Sequence, residues 1–303
     1  VDPASATMDG VGTVLGLAFV LSFGYWCTDF LLVQRALAAR DIDSAIRTPL
    51  VAAVPKLLFP LLVVVPGLAA AVLFPAELTA RYDLALPELL LRYYGPGLLG
   101  LGVTAMMASF MSGMAGNVTA FNTVWTFDLY QSHIAPGKSD RHYLVVSKIA
   151  TVAAVVLSVG TAYFVLRFNN LMDYVQLLFS FFNAPLFATF LLGMFTKWAT
   201  PAGGLVGLVV GTAAAAAHYL AYNGGLLTYG TEMTANFYGA IAGWTACFVT
   251  TIAVSLFTAP KPEAELEGLV YGKLGALEEA RKKPWLFAAL ILLGLIALNV
   301  VFY

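Results

Sequence analysis

Long apolar segments alternate along the chain with short polar ones. Eight segments are each about as long as a bilayer-crossing helix, which needs roughly 20 apolar residues for the ~30 Å hydrocarbon layer. They are residues 11–34, 46–75, 97–131, 143–166, 171–195, 202–222, 236–258 and 284–303. The apolar runs are continuous rather than alternating, which excludes a transmembrane barrel. The pattern predicts an all-α polytopic membrane protein with eight transmembrane helices.

Composition supports this class. The 303 residues are 60% hydrophobic and only 11% charged, and their net charge is −1. Soluble domains carry about 25% charged residues, which they need to cover their surface. The composition therefore excludes a soluble enzyme, a disordered tail and a nucleic-acid binder, and it predicts a lipid bilayer as the partner.

Basic residues predict the orientation of the segments. Of the 16 Lys and Arg residues, twelve lie in the loops after odd-numbered segments or within a few residues of them, three lie in loops after even-numbered segments, and Lys56 lies deeper inside a segment. Because cytoplasmic loops are enriched in Lys and Arg, the odd-numbered loops are expected in the cytoplasm and the C-terminus outside.

Two connecting regions and the third apolar segment have distinct characters. Residues 76–96 form a long external loop, in which 85–94 predict an amphipathic helix that serves either as a lid or as simple packing. Residues 259–283 are polar and predict a cytoplasmic linker. The third segment is too long for a straight crossing, so we expect it to extend into water at residues 128–131.

Polar groups inside apolar segments are costly and therefore informative. Lys56 lies among three prolines, and it either snorkels to the cytoplasmic face or lines a polar cavity beside a broken helix. In the fifth segment, Asp173, Gln176, Ser180 and Asn183 precede a proline. Gln176 either faces a cavity or hydrogen-bonds another helix.

The first segment has a weak point at Gly24. Ser22, Tyr25, Thr28 and Asp29 cluster around this glycine. Backbone groups freed at a helix break can bind ligand, and Tyr25 is alternatively an aromatic residue of the membrane interface.

The third segment carries small residues at every fourth position, from Gly100 to Ala120. Such stripes let helices approach closely, so pure packing is one interpretation. The other is a cation site, because hydroxyls at Ser109 and Ser112 offer oxygen ligands without a fixed charge, which suits a monovalent ion.

Motifs for other functions are missing from the sequence. It has no phosphate-binding G-x-x-x-x-G-K-[ST] loop, no G-x-S-x-G elbow and no H-E-x-x-H motif. We therefore expect neither an ATP-driven pump nor an enzyme. A membrane-embedded enzyme using Lys56 and Asp29, and a solute sensor, remain as alternatives.

Several strings resemble the sodium:solute symporter family. They are YWCTDFLLVQRALAARD (25–41), the Lys56 region through 66–67, ASFMSGMAGNVTAFNTVWTFDLYQ (108–131), FLLGMFTKWATPAGGLVGLVVG (190–211) and SLFTAPKPEAELEGLVYG (255–272). The resemblance implies a LeuT-type fold of two five-helix inverted repeats. Residues 1–196 would be the second repeat and 197–303 three peripheral helices.

The resemblance also implies a longer protein. The chain looks like its C-terminal part, and the Met-less Val1 is expected to be a cut edge. The missing N-terminal half would then be a partner of this chain. The implied location is the bacterial inner (plasma) membrane.

Site residues follow from the resemblance, with sodium/galactose members as the nearest pattern. Tyr25 matches the aromatic gate over the sugar, and Lys56 and Gln176 match two polar sugar contacts. Ser22 replaces an asparagine, which puts galactose itself in doubt.

The implied sodium site departs from the family pattern. Ser112 matches one hydroxyl ligand, Gly113 replaces the adjacent one, and Ser109 stands where an alanine carbonyl is usual. The expected function is sodium-coupled symport of a sugar or similar small polar solute by alternating access. A proton-coupled or sodium-independent carrier of the same fold is the alternative, because Gly113 lacks a hydroxyl.

Overall fold

A computed structural model describes residues 9–75, 82–165, 171–267, 269–271 and 285–302. This part of the chain is helical and contains no strand. Its helices are α1 (Gly12–Thr28), α2 (Phe30–Leu37), α3 (Ile42–Leu73), α4 (Ala85–Tyr93), α5 (Pro96–Ile134), α6 (Asp140–Val165), α7 (Leu171–Phe195), α8 (Pro201–Asn223), α9 (Glu232–Phe257) and α10 (Trp285–Phe302). Three of them contain wide π-helical stretches, at Gly12–Phe23, Val124–Ile134 and Phe179–Asn183.

Most predicted segments correspond to helices that can cross a membrane. Within the described residues, six helices are long and apolar enough, and the bent pair α1–α2 makes a seventh candidate. The eighth segment is helical over Trp285–Phe302 but is not among these candidates. The amphipathic helix expected at 85–94 is confirmed as α4. Residues 76–81 lie outside the described residues, as do 268 and 272–283 of the linker predicted at 259–283. In the described part of this linker, Glu263–Leu266 form a short 3₁₀ helix.

The break in the first span lies at Asp29, five residues after the Gly24 that the sequence indicated. Helices α1 and α2 meet at 42°, because Asp29 has extended backbone angles of φ −68° and ψ 115°. Its carboxylate caps α2 by accepting a 3.0 Å hydrogen bond from the backbone N–H of Leu31. Gly24 serves a packing role instead, since a Cβ there would lie 2.8 Å from the ring of Phe187.

The chain forms two compact units. Unit 1 comprises Val1–Pro55 and Met172–Tyr303, and unit 2 comprises Lys56–Leu171. The boundaries fall inside α3 and at the start of α7, so unit 1 combines two separate stretches of the chain and unit 2 is one continuous stretch. We describe each unit separately.

Small residues allow close contact between α8 and α9 in unit 1. A Cβ on Gly211 would lie 2.6 Å from the Cβ of Cys247 and 2.7 Å from the carbonyl oxygen of Gly243. The contacting positions recur at every fourth residue of both helices. They are Gly203, Gly207, Gly211 and Ala215 on α8, and Gly243, Cys247, Thr251 and Ser255 on α9. This spacing is typical of tightly packed membrane helices.

A buried threonine joins the start of α8 to the end of α9. Thr200 is 4% exposed, and its hydroxyl accepts a 3.1 Å hydrogen bond from the N–H of Gly203. The same hydroxyl lies 2.6 Å from that of Thr258, and the N–H of Thr200 donates to Ser255 at 3.1 Å. Thr200 is therefore both the N-cap of α8 and a link between two helices.

Replacing Thr200 by alanine is expected to lower the free energy of unfolding by about 1–2 kcal/mol, because a helix cap and an interhelical hydrogen bond are lost. The thermal unfolding midpoint of the purified protein measures this. Thr119→Ala is the control, since that exposed hydroxyl bonds only to the carbonyl of Ala115 within α5. Equal midpoints for the two variants would contradict the linking role.

Polar contacts join α5 to α6 in unit 2. The Asn122 amide donates a 2.7 Å hydrogen bond to Ser147, and the fully buried Thr126 hydroxyl donates to Asn122 at 2.9 Å. One turn further on, the Tyr130 hydroxyl lies 3.1 Å from Nε2 of His142. The Asn122–Tyr130 part of α5 is thus bonded to α6, and α5 continues to Ile134.

Candidate functional site

The α1 residues around Tyr25 contact the wide turn of α7 within unit 1. The rings of Tyr25 and Phe179 stack with centroids 5.1 Å apart and planes 23° apart. One turn later, the Thr28 hydroxyl lies 2.9 Å from Oδ1 of Asn183, to which it donates. These two contacts place the predicted gate residue directly against α7.

Gly24 and Phe187 add a third contact between the same helices. The glycine is buried, and the Phe187 ring packs where a side chain would otherwise stand. The α7 residues in the three contacts are spaced by four, at 179, 183 and 187. We call this set the α1–α7 contact.

The π-helical stretch Phe179–Asn183 determines which residues of α7 share a face. A π turn contains one residue more than an α turn, so it rotates the residues before it by about 100° relative to those after it. The Thr212 hydroxyl of α8 donates a 3.0 Å hydrogen bond to the carbonyl oxygen of Phe181 within this turn. The wide turn is therefore bonded to α8 as well as packed against α1.

Two buried amide groups flank Phe179. Gln176 is 9% exposed, and its Oε1 has no hydrogen-bond partner among the described residues. Nδ2 of Asn183 likewise lacks a partner there, although its Oδ1 accepts from Thr28. Buried polar groups are nearly always hydrogen-bonded, so an unmet acceptor and an unmet donor on one helix call for an explanation. A hydroxyl group can donate a hydrogen bond to such an acceptor and can accept one from such a donor.

Of the predicted solute residues, three lie in unit 1. Tyr25 is half-buried, and its hydroxyl lies next to the Asp29 carboxylate. Ser22 is exposed on α1, three residues before Tyr25 and so on a neighbouring part of the helix surface. Gln176 lies one turn before the Phe179 that stacks on Tyr25.

The remaining predicted residues belong to unit 2. Lys56 is exposed on α3. Ser109, Ser112 and Gly113 lie on α5 at spacings that place them on one face, and all three are exposed. The carbonyl oxygen of Gly113 accepts a 3.0 Å hydrogen bond from the Asn117 amide. No cluster of three or more His, Cys, Asp or Glu occurs among the described residues.

Sequence reasoning missed two of the residues around Tyr25. Phe179 and Phe187 are aromatic residues within an apolar run, and nothing in the sequence distinguishes them from residues facing lipid. Asn183 did give a signal, as a polar residue just before a proline. The small-residue stripe on α5, by contrast, has no buried position within the described chain, whereas the stripe on α8 is packed.

Comparisons with known proteins point to one transporter family. The sequence profile of the sodium:solute symporter family matches residues 1–211. The chain is 31% identical over 227 residues to the mouse (Mus musculus) sodium/myo-inositol cotransporter 2, an alignment covering 69% of this chain and 33% of the relative. It is 32% identical over 234 residues to a sodium/mannose cotransporter from Bos taurus, covering 71% and 38%.

A third relative aligns over most of the chain. The Sus scrofa sodium/glucose cotransporter 1 is 26% identical over 308 residues, which cover 92% of this chain and 46% of the relative. The chain thus spans a third to less than half of the length of the relatives it matches. The matched family and these relatives are transporters and not enzymes. With 211 of its 303 residues matched, and with helices that can cross a membrane repeatedly, the chain belongs to the sodium:solute symporter family.

Proposed function

We propose that the protein containing this chain couples uptake of a sugar or similar polyol to entry of sodium by alternating access. The observation that carries the proposal is the buried Oε1 of Gln176, an acceptor without a partner among the described residues, one turn from the Phe179–Tyr25 stack. An unmet acceptor one helical turn from an aromatic pair suits a ring that has both C–H groups and hydroxyls. The names of the relatives include myo-inositol, mannose and glucose, which are molecules of this kind.

In this proposal the solute lies against the ring of Tyr25 and donates a hydroxyl hydrogen bond to Gln176. Ser22, exposed on the same helix as Tyr25, offers a further hydroxyl. Lys56 is assigned as a solute contact on the resemblance alone.

Sodium is proposed to bind at the hydroxyls of Ser109 and Ser112, with Gly113 contributing backbone only. Its binding would favour the outward-open state and raise solute affinity, a coupling typically worth about 1–3 kcal/mol. Within the LeuT-type fold, residues 1–196 would form the second repeat and 197–303 three peripheral helices, giving eight spans with the C-terminus outside. The bacterial plasma membrane and the partnership with an N-terminal half are parts of the same proposal.

One observation favours a second candidate function. Gly113 has no hydroxyl, and its carbonyl oxygen already accepts from Asn117. Both features weaken a sodium site at this position. A proton-coupled or sodium-independent carrier of the same solute is therefore the alternative.

Uptake into proteoliposomes holding the full-length gene product tests the proposal. Radiolabelled myo-inositol, D-mannose and D-glucose are offered under an inward sodium gradient and under a matched choline gradient. We expect accumulation of at least one solute with sodium and none with choline. Equal accumulation in both would overturn sodium coupling, and accumulation driven by a proton gradient would favour the alternative. Absence of uptake for all three would overturn the proposed solute class.

Ser112→Ala is expected to raise the sodium concentration for half-maximal uptake about ten- to hundredfold, because a contact to a charged group is worth about 1.5–3 kcal/mol. Sodium titration of the initial rate measures this. Ser158→Ala is the matched control, since that exposed hydroxyl bonds to the carbonyl of Val155 on α6 in the same unit. Identical sodium curves for Ser112→Ala and the unmodified protein would remove Ser112 from the site.

A further inference from the structure

We infer that Phe179 is a positioning residue for solute binding, which holds the Tyr25 ring in the orientation that covers the solute. The inference rests on the proposed function, because it acts through the solute contact assigned to Tyr25. It goes beyond that function in naming a residue of α7 that neither family resemblance nor sequence pattern assigned.

The stacking geometry supports this role. A centroid distance of 5.1 Å and an interplanar angle of 23° leave one face of Tyr25 covered by Phe179. Trp26 meets the same ring at 6.2 Å, with the two ring planes at 89°. With one face covered and its hydroxyl next to Asp29, the Tyr25 side chain is restrained at both its ring and its tip.

The neighbouring contacts fix where Phe179 lies. The Thr28–Asn183 hydrogen bond and the Gly24–Phe187 packing hold α1 against α7 on the later turns of the α1–α7 contact. Phe179 itself packs against the buried core around Leu21, Ala184 and Phe237, so its ring is supported from behind. Tyr25 therefore stacks on a ring that is itself fixed.

The π-helical stretch of α7 also lies next to Gln176, the proposed solute contact on the same helix. Phe179 begins the π-helical stretch, and Gln176 lies in the α-helical turn before it. Gln176 and Phe179 are three residues apart, a spacing that places two residues on neighbouring parts of one helix face.

Phe179→Leu tests the inference, because leucine keeps an apolar side chain and removes the ring. Aromatic pairs contribute about 0.5–1.5 kcal/mol beyond their buried area, so the solute concentration for half-maximal uptake should rise about three- to tenfold. The maximal rate should stay within about twofold. Uptake is measured in proteoliposomes, with whichever of myo-inositol, D-mannose or D-glucose the unmodified protein accumulates.

Three further variants separate positioning from general destabilisation. Phe179→Tyr keeps an aromatic ring in the stack and should keep the half-saturation concentration of the unmodified protein. Phe182→Leu, on the same wide turn with a 63% exposed ring, should leave it unchanged. Phe179→Met replaces Phe179→Leu if the latter does not fold, and the same rise is expected. An unchanged half-saturation concentration in Phe179→Leu, or a raised one in Phe179→Tyr, would overturn the inference.

A double-mutant cycle with Tyr25→Leu shows whether Phe179 acts through Tyr25. We expect Phe179→Leu to have no additional effect once Tyr25 is leucine. Equal effects in both backgrounds would overturn the positioning role. If Tyr25→Leu alone leaves half-saturation unchanged, the proposed role of Tyr25 fails; if it raises half-saturation and Phe179→Leu does not, only the role of Phe179 fails.

Discussion

Replacing Gln176 by alanine is expected to raise the solute concentration for half-maximal uptake about ten- to hundredfold. The Oε1 atom of Gln176 is buried without a partner among the described residues, so a bound hydroxyl would satisfy an acceptor that otherwise pays a desolvation penalty. Removing one partner from such a buried hydrogen bond costs about 1–3 kcal/mol, which corresponds to this range. Initial uptake rates at increasing solute concentration, under a saturating sodium gradient, measure the change.

Gln131→Ala is the matched control, because it makes the same substitution on α5 at the end of a long helix. It should leave half-saturation within about twofold. Gln176→Glu adds a sharper test, since its carboxylate keeps the acceptor and the length of the side chain. An unchanged half-saturation in Gln176→Ala, with normal yield of folded protein, would show that Gln176 does not contact the solute.

Gly211→Leu is expected to prevent the formation of a stable fold. Even the first side-chain carbon at this position would lie 2.6 Å from Cβ of Cys247, 2.7 Å from the carbonyl oxygen of Gly243 and 3.0 Å from Cβ of Pro185. Helices α8 and α9 would have to move apart to make room for the side chain. Overpacking of a tight core typically costs 1–3 kcal/mol, and a four-carbon side chain against backbone should cost about 3 kcal/mol or more.

Gly204→Leu on the same helix is the control for Gly211→Leu. A Cβ at Gly204 meets only the methyl group of Thr189, at 3.5 Å, which is an ordinary contact. We expect Gly204→Leu to give a single size-exclusion peak and a near-normal thermal midpoint, and Gly211→Leu to give aggregated or poorly recovered protein. Similar midpoints for the two would mean that α8 and α9 are not as closely packed as the structure indicates.

The helices could be predicted from the sequence because a continuous apolar run of sufficient length has few alternatives in a bilayer. Their irregularities could not. The bend at Asp29 depends on a side chain capping the next helix, and Gly24, the more conspicuous residue, turned out to make room for Phe187. The wide turns leave no compositional trace, because a π turn differs from an α turn in hydrogen bonding and not in residue type.

The candidate site likewise contains residues that the sequence predicted and residues that it did not. Tyr25 and Gln176 were identified by polar character and by resemblance, and their roles as solute contacts stay predictions. Phe179 was not identified, because its importance comes from the ring it touches and not from its own chemistry. Close packing was one of two interpretations of the small residues at every fourth position of α5, because period alone does not say whether a stripe is buried. The stripe on α8 is buried against α9, whereas no residue of the stripe on α5 is buried within the described chain.

The bend at Asp29 has a mechanical consequence. One extended residue separates α1 from the eight-residue α2, so rotation about a single backbone bond redirects α2 without breaking a helical hydrogen bond. At 1.5 Å per residue α2 is about 12 Å long, and a 10° rotation at its base moves its far end by roughly 2 Å. A rotation at Asp29 would therefore displace α2, while the neighbouring Thr28–Asn183 hydrogen bond would hold the end of α1 in place.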